Sequence, residues 1–363
     1  MRILHTESSQ GWGGQEIRVL RESQKLVERG HEVFLLCNPE SSIACHASVY
    51  APGVSLVSVG LRKKRLPELL NARHALLKLC PDIVVCHSST DHWLVALARL
   101  TTSRDIALAR ARHISTPIGT DTVTRWLYSR GCELILTTGA GIRESMIAAG
   151  FGSSEKIHSI PTGVRGATFG MLSKREARGL LSLPVEKVFV GIVATLRSWK
   201  GHDDLLQAFS IMREGIDLLI VGDGPRFQAL TEMVSRLGLV DRVHFVGRQE
   251  TVAPWLSALD VYVQPSYANE GVPQSILQAM ATGLPIVSCP VGGIPEALTD
   301  YGAACLVPPR SVPALRGALE QMIEGLTSLP ARDHLKMVKY TEDDMAIECE
   351  LVYERTVHDL RYR

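Results

Sequence analysis

Apolar residues along the chain alternate between short continuous runs and longer stretches with helical spacing. The first run covers residues 2–6, and a glycine-rich loop separates it from a stretch with helical spacing at 15–29. Continuous apolar runs of this length are typical of parallel strands that are buried on both faces. Their alternation with helical stretches predicts an α/β protein in which helices cover both faces of a parallel sheet.

The pattern contains two such series. The first predicts strands and helices in turn at 2–6, 15–29, 32–37, 56–59, 66–79, 82–87, 91–100, 107–112, 121–129, 133–137 and 140–149. The second does so at 188–194, 203–213, 217–221, 226–237, 242–246, 261–264, 274–282, 285–288 and 304–307. Residues 160–186, between the two series, contain several glycines and prolines and show no sustained period.

This organisation predicts two Rossmann-like, doubly wound domains that face each other across a cleft. We place the N-terminal domain at 1–165 and the C-terminal domain at 166–340. An amphipathic helix at 341–363 is expected to pack back toward the N-terminal domain.

Composition narrows the functional classes. The chain has 363 residues, of which 45% are hydrophobic and 21% are charged, which is ordinary globular composition. A formal net charge of +1 argues against a dedicated nucleic-acid binder. No apolar run reaches the roughly 18 residues needed to cross a membrane. Eight scattered cysteines without a C-x-x-C pair favour buried thiols in a reducing compartment, so we expect a cytoplasmic protein.

Ligands of doubly wound sheets bind in the loops at the carboxyl ends of strands. The first such loop contains Gly13 and Gly14, directly before the first helix. Glycines let a backbone approach a phosphate, and the helix N-terminus supplies free N–H groups. Glu16 replaces the last glycine of G-x-G-x-x-G, so a tight turn without a ligand remains the alternative.

The second loop, at 194–201, contains Thr195, Arg197 and Lys200 after the first strand of the second series. Two cations three residues apart at the start of a helix are suited to hold a diphosphate. The alternative is that both are solvated surface residues. As exposed cations that pack little, they should contribute far more to turnover than to stability.

The third loop contains Glu270, next to a glycine at the start of the helix at 274–282. A carboxylate near a helix N-terminus stays ionised and can accept hydrogen bonds from sugar hydroxyls. Gln278 lies eight residues further along, on the second turn of that helix. A simple helix cap is the alternative role for Glu270.

The fourth loop begins at His113, where a strand of the first series ends. A structural and a catalytic role for this histidine are about equally supported. The chain has no H-E-x-x-H, Walker, G-x-S-x-G or D-x-D motif, so we expect neither a metal nor another cofactor. His87 and His92 are five residues apart, which does not place them on one helical face as metal ligands.

Five motifs occur in the order of a known family. They are Gly13-Gly14, Leu196-Arg197-Ser198-Trp199-Lys200-Gly201, Gly222-Asp223-Gly224-Pro225, Gly247-Arg248, and Glu270-Gly271-Val272-Pro273 continued by residues 279–285. Together they resemble the retaining glycosyltransferases of family 4, which have the GT-B fold of two Rossmann-like domains. The resemblance covers nearly the whole chain and is strongest between 188 and 307.

The resemblance implies metal-independent transfer of a sugar from a nucleoside diphosphate donor bound by the C-terminal domain. It implies that Arg197 and Lys200 hold the diphosphate and that Glu270 contacts the donor sugar. The peptide N–H groups that follow Glu270 would cradle sugar and phosphate. The binding residues implied for this segment are Gly271, Val272, Pro273, Gln274 and Ser275. The other implied binding residues are Thr195, Gly222, Gly247 and Arg248 for the nucleotide, His113 for the sugar ring, and Gly13 and Gly14 for diphosphate and acceptor.

The sequence departs from the family pattern at three places. Gln278 replaces a second acid that usually binds the nucleotide ribose, although an amide can also bond a hydroxyl. Val272-Pro273 replaces the more frequent Phe-Gly, and Thr162-Gly163-Val164-Arg165 replaces the usual Asn-Gly-Val-Asp.

We therefore predict a retaining glycosyltransferase that acts on a hydroxyl of a glycan or lipid-linked acceptor, in cell-surface polysaccharide or lipopolysaccharide synthesis. Because the third loop supplies a single acid, Glu270, we favour front-face transfer over the two-carboxylate mechanism of retaining hydrolases. A nucleotide-sugar 2-epimerase and a non-catalytic nucleotide-sugar-binding scaffold remain the alternatives.

The run Arg62-Lys63-Lys64-Arg65 precedes a helix with an apolar face. Such a run is usually a solvated loop. The alternative is peripheral contact with the anionic cytoplasmic face of a membrane that carries a lipid-linked acceptor.

Overall fold

Parallel strands and helices alternate along the chain in the computed structural model, which describes residues 1–362. The chain folds into two units. The first unit comprises Met1–Gly163 together with Glu342–Arg363, and the second comprises Val164–Thr341. Each unit has its own parallel sheet and its own hydrophobic core.

The first unit has seven strands: β1 (Arg2–Glu7), β2 (Glu32–Cys37), β3 (Ser55–Ser58), β4 (Ile83–Cys86), β5 (Ala107–Arg112), β6 (Leu134–Thr137) and β7 (Ile157–Ser159). They lie in the order β3-β2-β1-β4-β5-β6-β7. Its helices before the second unit are α1 (Gly14–Glu28), α2 (Ser42–Tyr50), α3 (Leu66–Leu79), α4 (Ser89–Arg99), α5 (Thr122–Ser129) and α6 (Ala140–Ala148).

The second unit has six strands: β8 (Val188–Val193), β9 (Ile216–Val221), β10 (Val243–Gly247), β11 (Val261–Gln264), β12 (Ile286–Ser288) and β13 (Ala304–Leu306). They lie in the order β10-β9-β8-β11-β12-β13. Its helices are α7 (Lys174–Leu180), α8 (His202–Ser210), α9 (Phe227–Arg236), α10 (Ala253–Ala258), α11 (Gln274–Thr282), α12 (Ile294–Leu298), α13 (Val312–Glu324) and α14 (Arg332–Leu335). The α/β class and the two doubly wound parallel sheets are as predicted.

The last helix, α15 (Glu342–Arg361), belongs to the first unit. Tyr353 is fully buried, and its hydroxyl donates to the Glu22 carboxylate of α1 at 2.6 Å. Lys25 of α1 forms an ion pair with Asp343 at 2.8 Å. Polar contacts as well as apolar packing therefore join the end of the chain to the first helix.

Helix α7 corrects the sequence interpretation of residues 160–186, in which no helix was predicted. Its main buried side chain is Arg178, whose guanidinium bonds the Ala258 carbonyl at 2.9 Å and the Asp260 carboxylate at 2.6 Å. An arginine that packs inward interrupts the apolar period, so the hydrophobic pattern gave no signal. The available signal was a capping box, in which Ser173 and Glu176 bond each other's backbone N–H groups.

The structure also contains elements that were not predicted from the sequence, namely β7, α2, α10, α12, α13 and α14. No helix among residues 1–362 is long and apolar enough to cross a membrane.

Candidate active site

The predicted residues of the second unit lie in loops at the carboxyl ends of its strands. Thr195, Arg197 and Lys200 follow β8, and Gly222 follows β9. Gly247 is the last residue of β10, and Arg248 comes next. Gly271, Val272 and Pro273 are buried between β11 and α11, while Gln274, Ser275 and Gln278 are half-buried on α11.

Lys200 and Glu270 form an ion pair between two of these loops. Lys200 Nζ lies 2.7 Å from Glu270 Oε1, and the side chains are 15% and 5% exposed. A short 3₁₀ turn at Ser198–Lys200 carries the lysine. The structure therefore brings together two of the residues that the sequence analysis assigned to catalysis.

Gly201 is required for this approach of the two loops. Its φ is +77°, and a Cβ at this position would lie 2.1 Å from the Pro265 carbonyl oxygen. One backbone bond joins the loops, from the Tyr267 N–H to the Trp199 carbonyl at 2.9 Å. A side chain at position 201 would push the lysine loop away from Glu270.

Gln264, at the end of β11, contacts the Glu270 carboxylate and orients it. The hydroxyls of Tyr262 and Ser275 donate to Gln264 Oε1 at 2.7 and 2.8 Å. Both donors fix the amide so that its Nε2 faces Glu270 Oε1 at 3.4 Å. Burial raises the pKa of Tyr262, which keeps its hydroxyl protonated as a donor. Sequence reasoning missed Gln264, since a glutamine at a strand end is not distinctive.

A second glycine supports the loop from its other side. Gly292 has a φ of +57°, and a Cβ there would lie 2.1 Å from the Glu270 carbonyl oxygen. The next N–H, of Gly293, donates to the Gly271 carbonyl at 2.9 Å. Packed glycines thus hold the backbone of residues 270–271, and neither glycine was singled out from sequence.

Arg197 differs from Lys200 because its side chain is exposed. Its guanidinium carbon lies 5.7 Å from the centre of the Trp199 ring. Among residues 1–362 no ion-pair partner is seen for Arg197, so its charge is available to a ligand. The two cations are equivalent in the sequence pattern, but they differ in exposure and in ion pairing in the structure.

In the first unit, His113 directly follows β5 and is half-buried. His113 Nε2 lies 3.0 Å from His87 Nδ1. His87 Nε2 in turn lies 2.9 Å from His5 Nδ1. The three rings stack in succession, with interplanar angles of 22° and 26°.

His5 and His87 were missed because they are far apart in sequence. The strand order places β1, β4 and β5 side by side, and their carboxyl ends are in register. Histidines at or near the carboxyl ends of adjacent parallel strands were the available signal.

The glycine loop that carries Gly13 and Gly14 is anchored by Glu7, at the end of β1. The buried Glu7 carboxylate accepts from the Ser9 N–H at 2.7 Å and from the Gln15 amide at 2.5 Å. Gly13 is the N-cap of α1, and Gly14 is its first residue. Glu7 was not predicted as an anchor, because a single acid at the end of a strand is not distinctive in sequence.

Asp91, in the first turn of α4, contacts the backbone of His87. Its carboxylate accepts from the Thr6 hydroxyl at 2.8 Å and from the His87 N–H at 3.1 Å. Burial, together with the nearby charge of Glu7, raises the pKa of Asp91 to about 7.

Two family models match the chain, one for each unit. The model of Glycosyltransferase Family 4 matches residues 12–165, and that of Glycosyl transferases group 1 matches residues 187–325. The chain belongs to glycosyltransferase family 4. It is therefore a glycosyltransferase, as predicted from its motifs.

Relatives of this glycosyltransferase act on different acceptors. It is 27% identical to D-inositol 3-phosphate glycosyltransferase of Mycolicibacterium smegmatis, over 81% of this chain and 75% of that protein. It is 37% identical to the lipopolysaccharide core biosynthesis mannosyltransferase LpsB of Rhizobium meliloti, over 35% of this chain and 38% of that protein. Family membership alone therefore does not define the acceptor.

The fold of the glycosyltransferase is that of known GT-B structures. The structure of Anabaena Alr3699/HepE in complex with UDP and glucose matches it with a TM-score of 0.84 at 19% identity, covering 98% of this chain and 99% of the other.

Proposed function

We propose that this glycosyltransferase transfers a sugar from a nucleoside diphosphate donor with retention of anomeric configuration. The acceptor is a hydroxyl of a glycan or a lipid-linked glycan, in cell-surface polysaccharide or lipopolysaccharide synthesis. The observation that carries the proposal is the Lys200–Glu270 ion pair, which joins the loop before α8, where Arg197 is exposed, to the loop before α11. Anabaena HepE with UDP and glucose, and the relative LpsB, support the donor and acceptor classes.

The diphosphate is held by charge and by backbone. Arg197 offers a planar pair of donors to phosphate oxygens, and Lys200 offers a mobile ammonium group. The N–H groups at the start of α11, near Gln274 and Ser275, add the positive end of the helix dipole. Thr195, Gly222, Gly247 and Arg248 contact the remainder of the nucleotide.

Glu270 contacts the sugar. In the structure Lys200 and Gln264 both face its Oε1. When the donor binds, Lys200 turns toward the β-phosphate and the carboxylate accepts sugar hydroxyls. The negative charge of Glu270 also stabilises the positive charge that develops at the anomeric carbon.

The chemical step breaks the bond between the anomeric carbon and the β-phosphate oxygen. The acceptor oxygen forms its bond to the same face of that carbon, and its proton passes to the departing phosphate oxygen. Arg197 and Lys200 stabilise the charge on the leaving group, which makes preorganised electrostatics the main catalytic contribution. In the first unit, His113 donates to a substrate hydroxyl, and the loop of Gly13 and Gly14 contacts diphosphate and acceptor.

The proposal is tested with a panel of nucleotide sugars that includes UDP-glucose, with and without candidate glycan acceptors. We expect one donor to be consumed, and proton NMR should show that the first-formed sugar product retains the anomeric configuration. Isomerisation of the donor without acceptor would support a 2-epimerase instead. Binding without any turnover would support a non-catalytic scaffold.

We also propose that the first unit contacts the cytoplasmic face of a membrane. The run 62–65 is exposed throughout, and Leu66 and Leu70 of α3 are 65% and 54% exposed. Exposed leucines beside four cations suit an anionic lipid surface better than a solvated loop. Sedimentation with anionic vesicles should weaken in the Leu66→Ser/Leu70→Ser variant, and equal binding to neutral vesicles would contradict the proposal.

A further inference from the structure

His5, His87 and His113 form a hydrogen-bonded chain of three imidazole rings. Each hydrogen bond between two neutral imidazoles needs one proton, and each neutral imidazole carries one. Two bonds and three rings therefore leave two possible arrangements, in which the protons point toward His113 or toward His5.

All three rings remain neutral at physiological pH. Burial lowers the pKa of His5, and it lowers those of His87 and His113 well below the usual value. The positive charges of Arg18 and Arg110 lower the pKa of His87 and of His113 further. Around His5 the charges of Glu22 and Arg18 act in opposite directions.

The two arrangements differ at the buried end of the chain. His5 Nε2 is buried without a hydrogen-bond partner among residues 1–362. If the protons pointed toward His5, this nitrogen would carry an N–H without an acceptor. Buried N–H groups without an acceptor are rarer than acceptors with an unused lone pair. The favoured arrangement therefore has His5 Nδ1–H donating to His87, and His87 Nδ1–H donating to His113 Nε2.

We propose that His5 and His87 are positioning residues that place the single proton of His113 on Nδ1, where it is a hydrogen-bond donor to a substrate hydroxyl. The inference rests on the proposed function for the identity of the substrate, while the proton position is a property of the protein alone. His5 and His87 touch no substrate in this arrangement and act only through His113.

The proton position is measured by ¹⁵N NMR of histidine-labelled protein near pH 7.5, because protonated and bare ring nitrogens resonate in separate regions. Resonances are assigned with single variants of the three histidines. We expect His113 to carry its proton on Nδ1 in the wild type. A proton on His113 Nε2 in the wild type would overturn the proposal, whatever the activity of the protein.

The second measurement compares His87→Leu with His87→Asn. Leucine removes the donor to His113, so the Nδ1–H form should no longer predominate and kcat/KM should fall about three- to tenfold. Asparagine keeps an N–H donor close to the position of Nδ1. His87→Asn should therefore retain most of the Nδ1–H form of His113 and most of the wild-type kcat/KM. Equal losses in the two variants, with the proton of His113 unmoved, would show a packing role only and overturn the proposal.

A third outcome separates this inference from the proposed function. If the NMR results are as expected while His113→Ala leaves turnover unchanged, the substrate contact of His113 is wrong and the proposal fails at that step. If no donor is consumed by the wild type, the proposed function fails, and the proton position is still decided by NMR.

Discussion

The acid proposed for catalysis, Glu270, is almost fully buried and depends on few neighbours. Its side chain is 5% exposed, and Lys200, its ionic partner, is 15% exposed. A buried carboxylate that loses its counterion keeps the cost of desolvation without the compensating attraction. Lys200 therefore stabilises the folded protein in addition to its proposed role in binding the donor. Arg197, which is exposed, should contribute to donor binding only.

This difference gives a paired prediction for Lys200→Ala and Arg197→Ala. Both should weaken the binding of a nucleoside diphosphate at least about tenfold, because each removes a charge-assisted contact. Lys200→Ala should also lower the free energy of unfolding by about 3 kcal/mol, while Arg197→Ala should change it by less than about 0.5 kcal/mol. Calorimetric titration and urea unfolding measure the two quantities. Equal stability of the two variants would show that the ion pair is not maintained in solution.

For these three residues, the sequence predicts position along the chain but not burial. Arg197, Lys200 and Glu270 could be found because charged residues after predicted strands are conspicuous. Their unequal burial could not be found, since it depends on how closely Gly201 lets one loop approach another. The interpretation of Lys200 as an exposed cation that packs little is therefore wrong.

Among the elements, α1 and α15 are joined by buried polar groups. Glu22, Arg18 and Tyr353 are all at most 2% exposed, yet they lie on helices that an amphipathic pattern would orient with apolar faces inward. Arg18 lies 3.4 Å from Glu22 and donates to the Ile160 carbonyl at 2.7 Å. Hydrogen bonds between buried side chains, in addition to apolar packing, therefore hold α15 against α1.

A matched pair of tyrosine variants tests this contact. Tyr353→Phe removes a hydrogen bond to the buried Glu22 carboxylate and should cost about 2–3 kcal/mol of stability. Tyr301→Phe, in the second unit, removes a bond of 2.8 Å to a neutral carbonyl, that of Leu284, and should cost about 1 kcal/mol. Thermal unfolding of the two variants compares them. A smaller loss for Tyr353→Phe than for Tyr301→Phe would contradict the account of α15.

Elements were predictable where their buried faces are apolar. Strands such as β2 and β5 and the helix α3 were placed with the observed ends, because apolar runs or periods continue through them. Helix α7 was not, because Arg178 occupies the buried position that an apolar residue would mark. Short elements such as β7 offer too few residues for a period to be recognised.

For the whole molecule, buried neutral histidines make stability depend on pH. Burial lowers the pKa of His5, His87 and His92 from the usual 6.5, so these rings stay neutral in the folded chain and become protonated on unfolding. Their contribution is present above pH 6.5 and is lost as the pH falls below it. The raised pKa of Asp91 acts in the opposite direction between about pH 4 and 7.

Each of these histidines should therefore lower the free energy of unfolding between pH 6.5 and pH 5, by at most about 2 kcal/mol, which is the limit for one proton over this range. His92→Phe removes one titrating group from a buried position and should reduce the loss of stability between pH 7 and pH 5. His74→Gln, at an exposed position, serves as the control and should not change the loss. Urea unfolding at the two pH values measures it, and an unaltered loss in His92→Phe would contradict the prediction.

A second property of the whole enzyme is its response to chelators. Because Arg197, Lys200 and the start of α11 are assigned to the leaving diphosphate, we expect turnover to persist in excess EDTA. Loss of activity that magnesium or manganese restores would show that a divalent ion carries part of this charge.

The two parallel sheets and the glycosyltransferase family could be predicted from alternating patterns and ordered motifs. The histidine chain of the first unit could not, because strand order brings together residues that are 82 and 26 positions apart. Such contacts depend on topology, which local sequence patterns do not specify.

The role of Glu270 is tested most directly by Glu270→Gln, which keeps the shape of the side chain and removes its charge. We expect turnover of the nucleotide sugar to fall about a hundredfold or more. The neutral amide accepts hydrogen bonds from the sugar hydroxyls more weakly than the carboxylate does, and it does not stabilise the positive charge at the anomeric carbon. Affinity for the bare nucleoside diphosphate should not weaken. This ligand has no sugar to contact residue 270, and Lys200 no longer pairs with a carboxylate there and can bind the phosphates. A variant with wild-type turnover, or one that merely unfolds at lower temperature while its folded fraction turns over normally, would contradict this role for Glu270.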